Sequence, residues 1–202
     1  MKIPITLTFT EELLGTAAAD PKLHTEFIAS KAPDAKTRAE EIAAHGAEEV
    51  EVRSMSVFPR DKAGPFLYDY QVKGFFKDAC SCLARVPGTK SQALKAYRKV
   101  IDGTIFVFPR KILIQASGEV GDCQRPLRAS GPQGERVALA HSETAPAGSQ
   151  IEFIIELLDE SKWPVVKEWL DYGRLRGIGQ WRNSGKGRFS YKADASKTKA
   201  RA

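Results

Sequence analysis

Residues 150–191 read QIEFIIELLDESKWPVVKEWLDYGRLRGIGQWRNSGKGRFSY, and the pattern divides into four pieces. Gln150–Leu158 is a strongly apolar run of strand length. From Lys162 to Gly173, the residues Trp163, Val166, Trp169 and Leu170 recur at helical spacing and mark a buried stripe. A cationic, glycine-rich loop follows, and Arg188–Tyr191 resumes as a strand. Upstream, Phe66-Leu67-Tyr68 reads as a strand and Tyr70–Ala84 as the clearest helix, with Val72, Phe75, Phe76, Ala79, Cys80 and Leu83 on one face. Strands followed by a helix, twice, predict an α+β fold: a ferredoxin-like (RRM-like) antiparallel sheet with helices on one face.

The remaining segments fit around that frame. Lys2–Thr10 alternates, with Ile3, Ile5, Leu7 and Phe9 opposite Thr6, Thr8 and Thr10, so it is a half-buried strand. Leu13–Thr16 ends it in a turn. Residues 17–52 are polar and rich in Ala and Glu, which predicts a peripheral helical insertion. Arg60–Pro65 has the composition of a hairpin turn. Gly74 lies inside the clearest helix, where it costs ~1 kcal/mol against Ala, so either tight packing on the sheet or the close approach of a ligand is expected there. Leu94–Ile101 reads as a short basic helix and Thr104–Gln115 as a strand pair. Gly118–Gly134 reads as a basic loop, and Glu135–His141 as a strand. One domain therefore spans 1–192, and 193–202 is a basic, disordered tail.

The loop carries the functional signal. Gly173–Tyr191 holds five glycines, four arginines and one lysine, with Trp181 at its centre. Gly177 and Gly179, then Gly185 and Gly187, form two G-x-G steps whose bare N–H groups are expected to make an anion nest. Arg182, Lys186 and Arg188 supply charge for a phosphate backbone, and Trp181 a face for stacking a base. The pattern is neither the dinucleotide fingerprint, which opens a helix early in a βαβ unit, nor a Walker loop, because glycine follows Lys186. The competing reading is a hairpin connection with a solvated basic face. Lys73 and Lys77, one helical turn apart, are further candidate contacts. So are Arg60, Arg110, Lys111, Arg125 and Arg128, on turns and loops.

Composition sets the outer limits. The 31 Lys and Arg against 25 Asp and Glu give a net charge of +6, which permits nucleic-acid binding without requiring it. From Gly173 onward nine residues are basic and only Asp194 is acidic. No apolar run reaches transmembrane length, and Glu11 and Glu12 stand where a signal peptide would be apolar, so a cytoplasmic protein is expected. Cys80, Cys82 and Cys123 are too few for a disulfide framework, and no His or Cys spacing suits a metal; no cofactor is expected.

Three stretches in chain order resemble the RAMP superfamily of CRISPR-associated proteins, and within it the backbone subunit that coats guide RNA in class 1 effector complexes. They are ITLTFTEELLGT, SVFPRDKAGPFLYDYQVKGFFKDAC and GRLRGIGQWRNSGKGRFSY. In the second, Arg60-Asp61, Pro65–Tyr68 and Lys73-Gly74 match, whereas Asp69-Tyr70-Gln71 replaces a Ser-rich step. RVALAHSETAPAGSQIEFIIELL is similar to the strand-turn-strand before the family's last helix. The resemblance implies sequence-independent binding of single-stranded RNA by a repeated, non-catalytic subunit, with other copies of itself and other effector-complex subunits as partners. The acid that cleaves target RNA in type III relatives has no counterpart in Arg53–Ser56. The alternatives are a guide-processing endoribonuclease using His24, a phage or mobile-element protein that binds single-stranded nucleic acid or antagonises defence, and a relative that binds protein only.

Overall fold

The computed structural model describes residues 1–18, 55–131 and 134–194. The first strand, β1 (Lys2–Phe9), follows from its alternation: Ile3, Ile5, Leu7 and Phe9 are at most 1% exposed. The main sheet also contains β5 (Arg60–Asp61), β6 (Gly64–Tyr68), β7 (Ile105–Phe108), β8 (Lys111–Gln115), β11 (Gln150–Leu157) and β12 (Phe189–Ala193). Its order is β12-β1-β11-β8-β6-β5, with β7 beside the second half of β11. Four helices are described: α1 (Asp69–Leu83), α2 (Lys90–Ala93), α3 (Tyr97–Thr104) and α4 (Trp163–Arg176).

Taken as β1-α1-β8-β11-α4-β12, the chain has the βαββαβ order of the ferredoxin-like fold. β1 runs antiparallel between β11 and β12, and β8 flanks β11. The α+β expectation holds, with the β5–β6 hairpin extending the sheet past β8.

One core lies between the sheet and α1 and α4. Val72, Phe75, Phe76, Ala79 and Cys80 of α1 are buried there, as are Val165, Val166, Trp169, Leu170 and Gly173 of α4. Phe76 packs on Trp169 at 5.6 Å, and Phe75 meets Phe189 edge-on at 5.3 Å. Each large apolar side chain buried in this way contributes about 1.5 to 3 kcal/mol. The other face of the sheet carries Thr6, Glu152, Leu113 and Lys192, in register with one another or with core strands.

Glu168 joins α4 to α2. Its carboxylate accepts hydrogen bonds from the backbone of Lys90 (2.7 Å) and Ser91 (2.9 Å) and from Ser91 Oγ (2.6 Å). Partial burial pushes this carboxyl up, but the hydrogen bonds from Ser91 and Lys90 outweigh it and hold the group below the ordinary glutamate value. Because the folded-state pKa is lowered, the contribution is complete above the unfolded value of ~4.3 and is lost as pH falls through the folded value. Glu168→Gln is therefore expected to flatten the acid limb of the stability curve below about pH 5, read by urea denaturation across pH.

A second sheet holds a long ribbon of β9 (Gly121–Gly131) and β10 (Gly134–Ala145), with β2 (Leu13–Leu14), β3 (Ala17–Ala18) and β4 (Ser56–Val57). It corrects several expectations. Gly118–Gly134 is largely strand, paired with β10 from Gly131↔Gly134 to Gly121↔Thr144. Pro126 and the glycines at its ends give this strand the composition of a loop. Leu13–Leu14 pairs with β10 instead of only turning, and Ala17–Ala18 is extended. The rest of the expected insertion falls in residues 19–54, outside the described residues, as does most of the expected tail, 195–202. The basic helix expected over Leu94–Ile101 begins only after Ala96, which sits at φ 50°, and forms α3; the separate short helix α2 precedes it. Gly74 is exposed, and a Cβ there would meet nothing within 4 Å, so it is not a packing glycine of this core.

Candidate nucleic-acid interface

After α4 the chain turns through Gly177, Gly179, Gly185 and Gly187, all at positive φ, and through Trp181 at φ 56°. The glycines do not form an open nest. A Cβ on Gly177 would lie 2.5 Å from the Lys186 carbonyl oxygen, and one on Gly187 only 2.0 Å from that of Ile178. Ile178 N donates to Gly187 O at 2.9 Å, and Gly187 N to Glu12 O at 2.8 Å. The G-x-G steps thus let the two arms of the loop lie backbone to backbone and spend key N–H groups internally. Gly179 packs beside Leu13. The sequence signal for close approach was sound, but what approaches is the loop itself.

Several loop cations are anchors. Lys186 Nζ lies 2.5 Å from Glu12 Oε2, and Arg188 Nε donates to the Leu175 carbonyl at 3.0 Å. Arg176 Nε and Arg182 Nη1 converge on Asp78 Oδ2 of α1, at 2.9 and 2.7 Å. Hydrogen bonding to Asp78 raises the pKa of Arg176 above its ordinary value. Sequence reasoning missed Asp78. Its signal was a lone acid one turn beyond Gly74 on a helix face that also bears Gln71.

The opening that remains is a cleft of about 750 Å³ between this loop and the start of the ribbon. Its lining includes Arg125, Pro126, Arg176, Trp181, Arg182 and Asn183. The Arg125 guanidinium lies over the Trp181 ring and is 7% exposed. Its Nε and Nη1 have no hydrogen-bond partner among the described residues. Burial pushes its pKa down to about 10, which still leaves it charged at neutral pH. Three guanidinium groups against the Asp78 carboxylate leave an excess of two positive charges. Such a site suits an anion that brings its own acceptors, and a flat group that rests on an indole.

Of the expected contacts, the structure thus brings together Gly179, Trp181, Arg182 and Arg125, with Gly177 bracing the loop. It does not bring the others there. Lys73 and Lys77 both pair with Asp102, at 3.9 and 2.7 Å, beside α3. Arg60 pairs with Glu143 at 2.5 Å, Arg110 with Asp69 at 2.7 Å and Lys111 with Asp61 at 3.0 Å. Arg128 sits in β9 opposite Val137. His24 lies outside the described residues. Among the described residues no group of three or more His, Cys, Asp or Glu could hold a metal, and no helix is long and apolar enough to cross a membrane.

No family model and no curated protein matches the sequence. Among solved structures, a chain in the cryo-EM structure of type III-B Cmr-beta bound to cognate target RNA aligns with a TM-score of 0.49 at 10% identity. That alignment covers 96% of this chain and only 59% of the other, so this chain spans little more than half of its length. A chain of a type IV-B CRISPR complex aligns with a TM-score of 0.48 at 10% identity, over 100% of this chain and 94% of that one.

Proposed function

We propose that the protein binds single-stranded RNA by its sugar-phosphate backbone, as a repeated, non-catalytic subunit of a CRISPR-type RNA-guided complex in the cytoplasm. Its partners in this reading are the guide RNA, other copies of itself and other effector-complex subunits, and it needs no cofactor. The observation that carries the reading is Arg125: a buried, charged guanidinium whose Nε and Nη1 have no acceptor among the described residues, in a cleft with Arg182 and Trp181. A buried charge is costly unless it is paired, so an acceptor brought by a ligand would offset that cost. A phosphodiester supplies that charge, and the adjoining base or sugar can rest on the indole. The three stretches that resemble the guide-coating RAMP subunits support the same conclusion from the sequence, and one of them is the loop that forms a wall of the cleft.

The test is anisotropy of a labelled single-stranded RNA titrated with protein over a range of salt. For Arg125→Ala with Arg182→Ala, the salt slope is expected to fall by ~1 to 1.4, from two phosphate contacts at 0.7 each. Lys186→Gln, which removes an internal anchor, is expected to leave the slope unchanged in protein that remains folded. A wild-type protein that does not retain RNA at low salt, or a double variant with the wild-type slope, refutes the cleft. Shortened RNA after incubation would favour the endoribonuclease reading, and a His24→Ala protein that still cleaved would remove it.

A further inference from the structure

The cleft leaves unexplained a second cluster, at the start of α1 beside β8. Tyr70 is 50% exposed, an unusual position for a large aromatic ring that is also held in place. It stacks on Tyr68 with centroids 5.2 Å apart and planes 16° from parallel. Tyr68 is braced edge-on by Phe66 at 5.1 Å. The Arg110 guanidinium lies near both tyrosine rings, 5.6 and 5.4 Å from their centroids. Asp69 tethers Arg110 through Nη1, yet the side chain remains 67% exposed. Its Nε and Nη2 have no hydrogen-bond partner among the described residues.

The geometry points to a stacking ledge on which an unpaired nucleobase lies against the outer face of Tyr70, its phosphate reached by the outward edge of Arg110. This rests on the reading of the protein as a binder of single-stranded RNA. Three features favour a nucleotide. The ring is pre-oriented by Tyr68, so little conformational freedom is lost on stacking. A guanidinium with free donors beside an aromatic face matches a flat base linked to an anion. Gly74, four residues further along α1, has open space where its Cβ would be. Among the described residues, nothing covers the helix surface at that position between the ledge and the Asp78–Arg182 pair. Eight residues of helix separate Tyr70 from Asp78, about 12 Å, so one strand can serve both sites.

The experiment compares a labelled oligoadenylate with an abasic ribose-phosphate strand of equal length, both by anisotropy. Tyr70→Ala is expected to weaken oligoadenylate binding by about 5- to 150-fold, with an unchanged salt slope, because the ring is uncharged. Tyr70→Trp is expected to restore it, Tyr70→Leu to behave as alanine does, and the abasic strand to be insensitive to all three. Circular dichroism confirms folding, and the Trp and Leu pair decides the matter should the alanine variant unfold. If these variants bind oligoadenylate as wild type does while the Arg125 and Arg182 variant is weakened, the ledge is refuted and backbone binding in the cleft stands. If wild type binds neither strand, both fall. Loss of self-association without RNA, at unchanged affinity, would make Tyr70 a protein contact and overturn the ledge.

Discussion

Gly187→Ala is expected to lower the unfolding free energy by at least ~3 kcal/mol, enough to leave much of the protein unfolded. Two effects add. Gly187 has φ +69°, a conformation that costs a residue with a Cβ about 1 to 2 kcal/mol. The new methyl would also sit 2.0 Å from the Ile178 carbonyl oxygen, a backbone atom that cannot swing aside. Relieving the overlap parts the two arms of the loop and breaks the bond from Ile178 N to Gly187 O. Gly185→Ala is the matched control. Its φ is +84°, but the nearest atom is 3.2 Å away in the flexible side chain of Arg188, so only ~1 to 2 kcal/mol is expected. Urea denaturation of the pair checks this. Equal stabilities would mean that the two arms do not touch as described.

Trp169→Ala is expected to cost ~3 to 5 kcal/mol. The indole is 0% exposed, fills the space between α4 and α1 against Phe76, and belongs to the central core. Its Nε1 donates to Ser91 Oγ at 2.9 Å, which ties α2 to the same point. Trp169→Phe is the milder change. It keeps a ring in the core but removes the donor and part of the indole's volume, and Ser91 Oγ retains its bond to Glu168, so a smaller loss of ~1 to 3 kcal/mol is expected. Denaturation monitored by far-ultraviolet circular dichroism reads both. An alanine variant as stable as wild type would mean that the two helices do not meet through this residue.

The parts of the fold that one face of water and one face of core define were legible in the chain. β1 and α1 follow directly from Ile3, Ile5, Leu7 and Phe9, and from Val72, Phe75, Phe76, Ala79 and Cys80, because burial imposes the period. β9 was not legible. It belongs to a ribbon that owes its shape to its pairing with β10, and Pro126 together with the flanking glycines reads as loop. The site was half legible for a different reason. A glycine records that something comes close to the backbone but not what, and at Gly177 and Gly187 the neighbour is the chain itself. Likewise charge alone cannot separate Lys186, held by Glu12, from Arg125, which has no such partner among the described residues. Tyr70 escaped because its meaning lies in the stack on Tyr68 and in Arg110, and Arg110 is brought in from β8's edge by the fold.

β1 is flanked on one side by β11 and on the other by β12. A ribosome making this chain releases Ile5, Leu7 and Phe9 long before Phe189 emerges. Until the β12 segment has emerged, one border of that strand is bare and can be captured by the same strand of a neighbouring nascent chain. That interval of exposure is a consequence of placing β1 beside a strand that lies about 180 residues later in the chain.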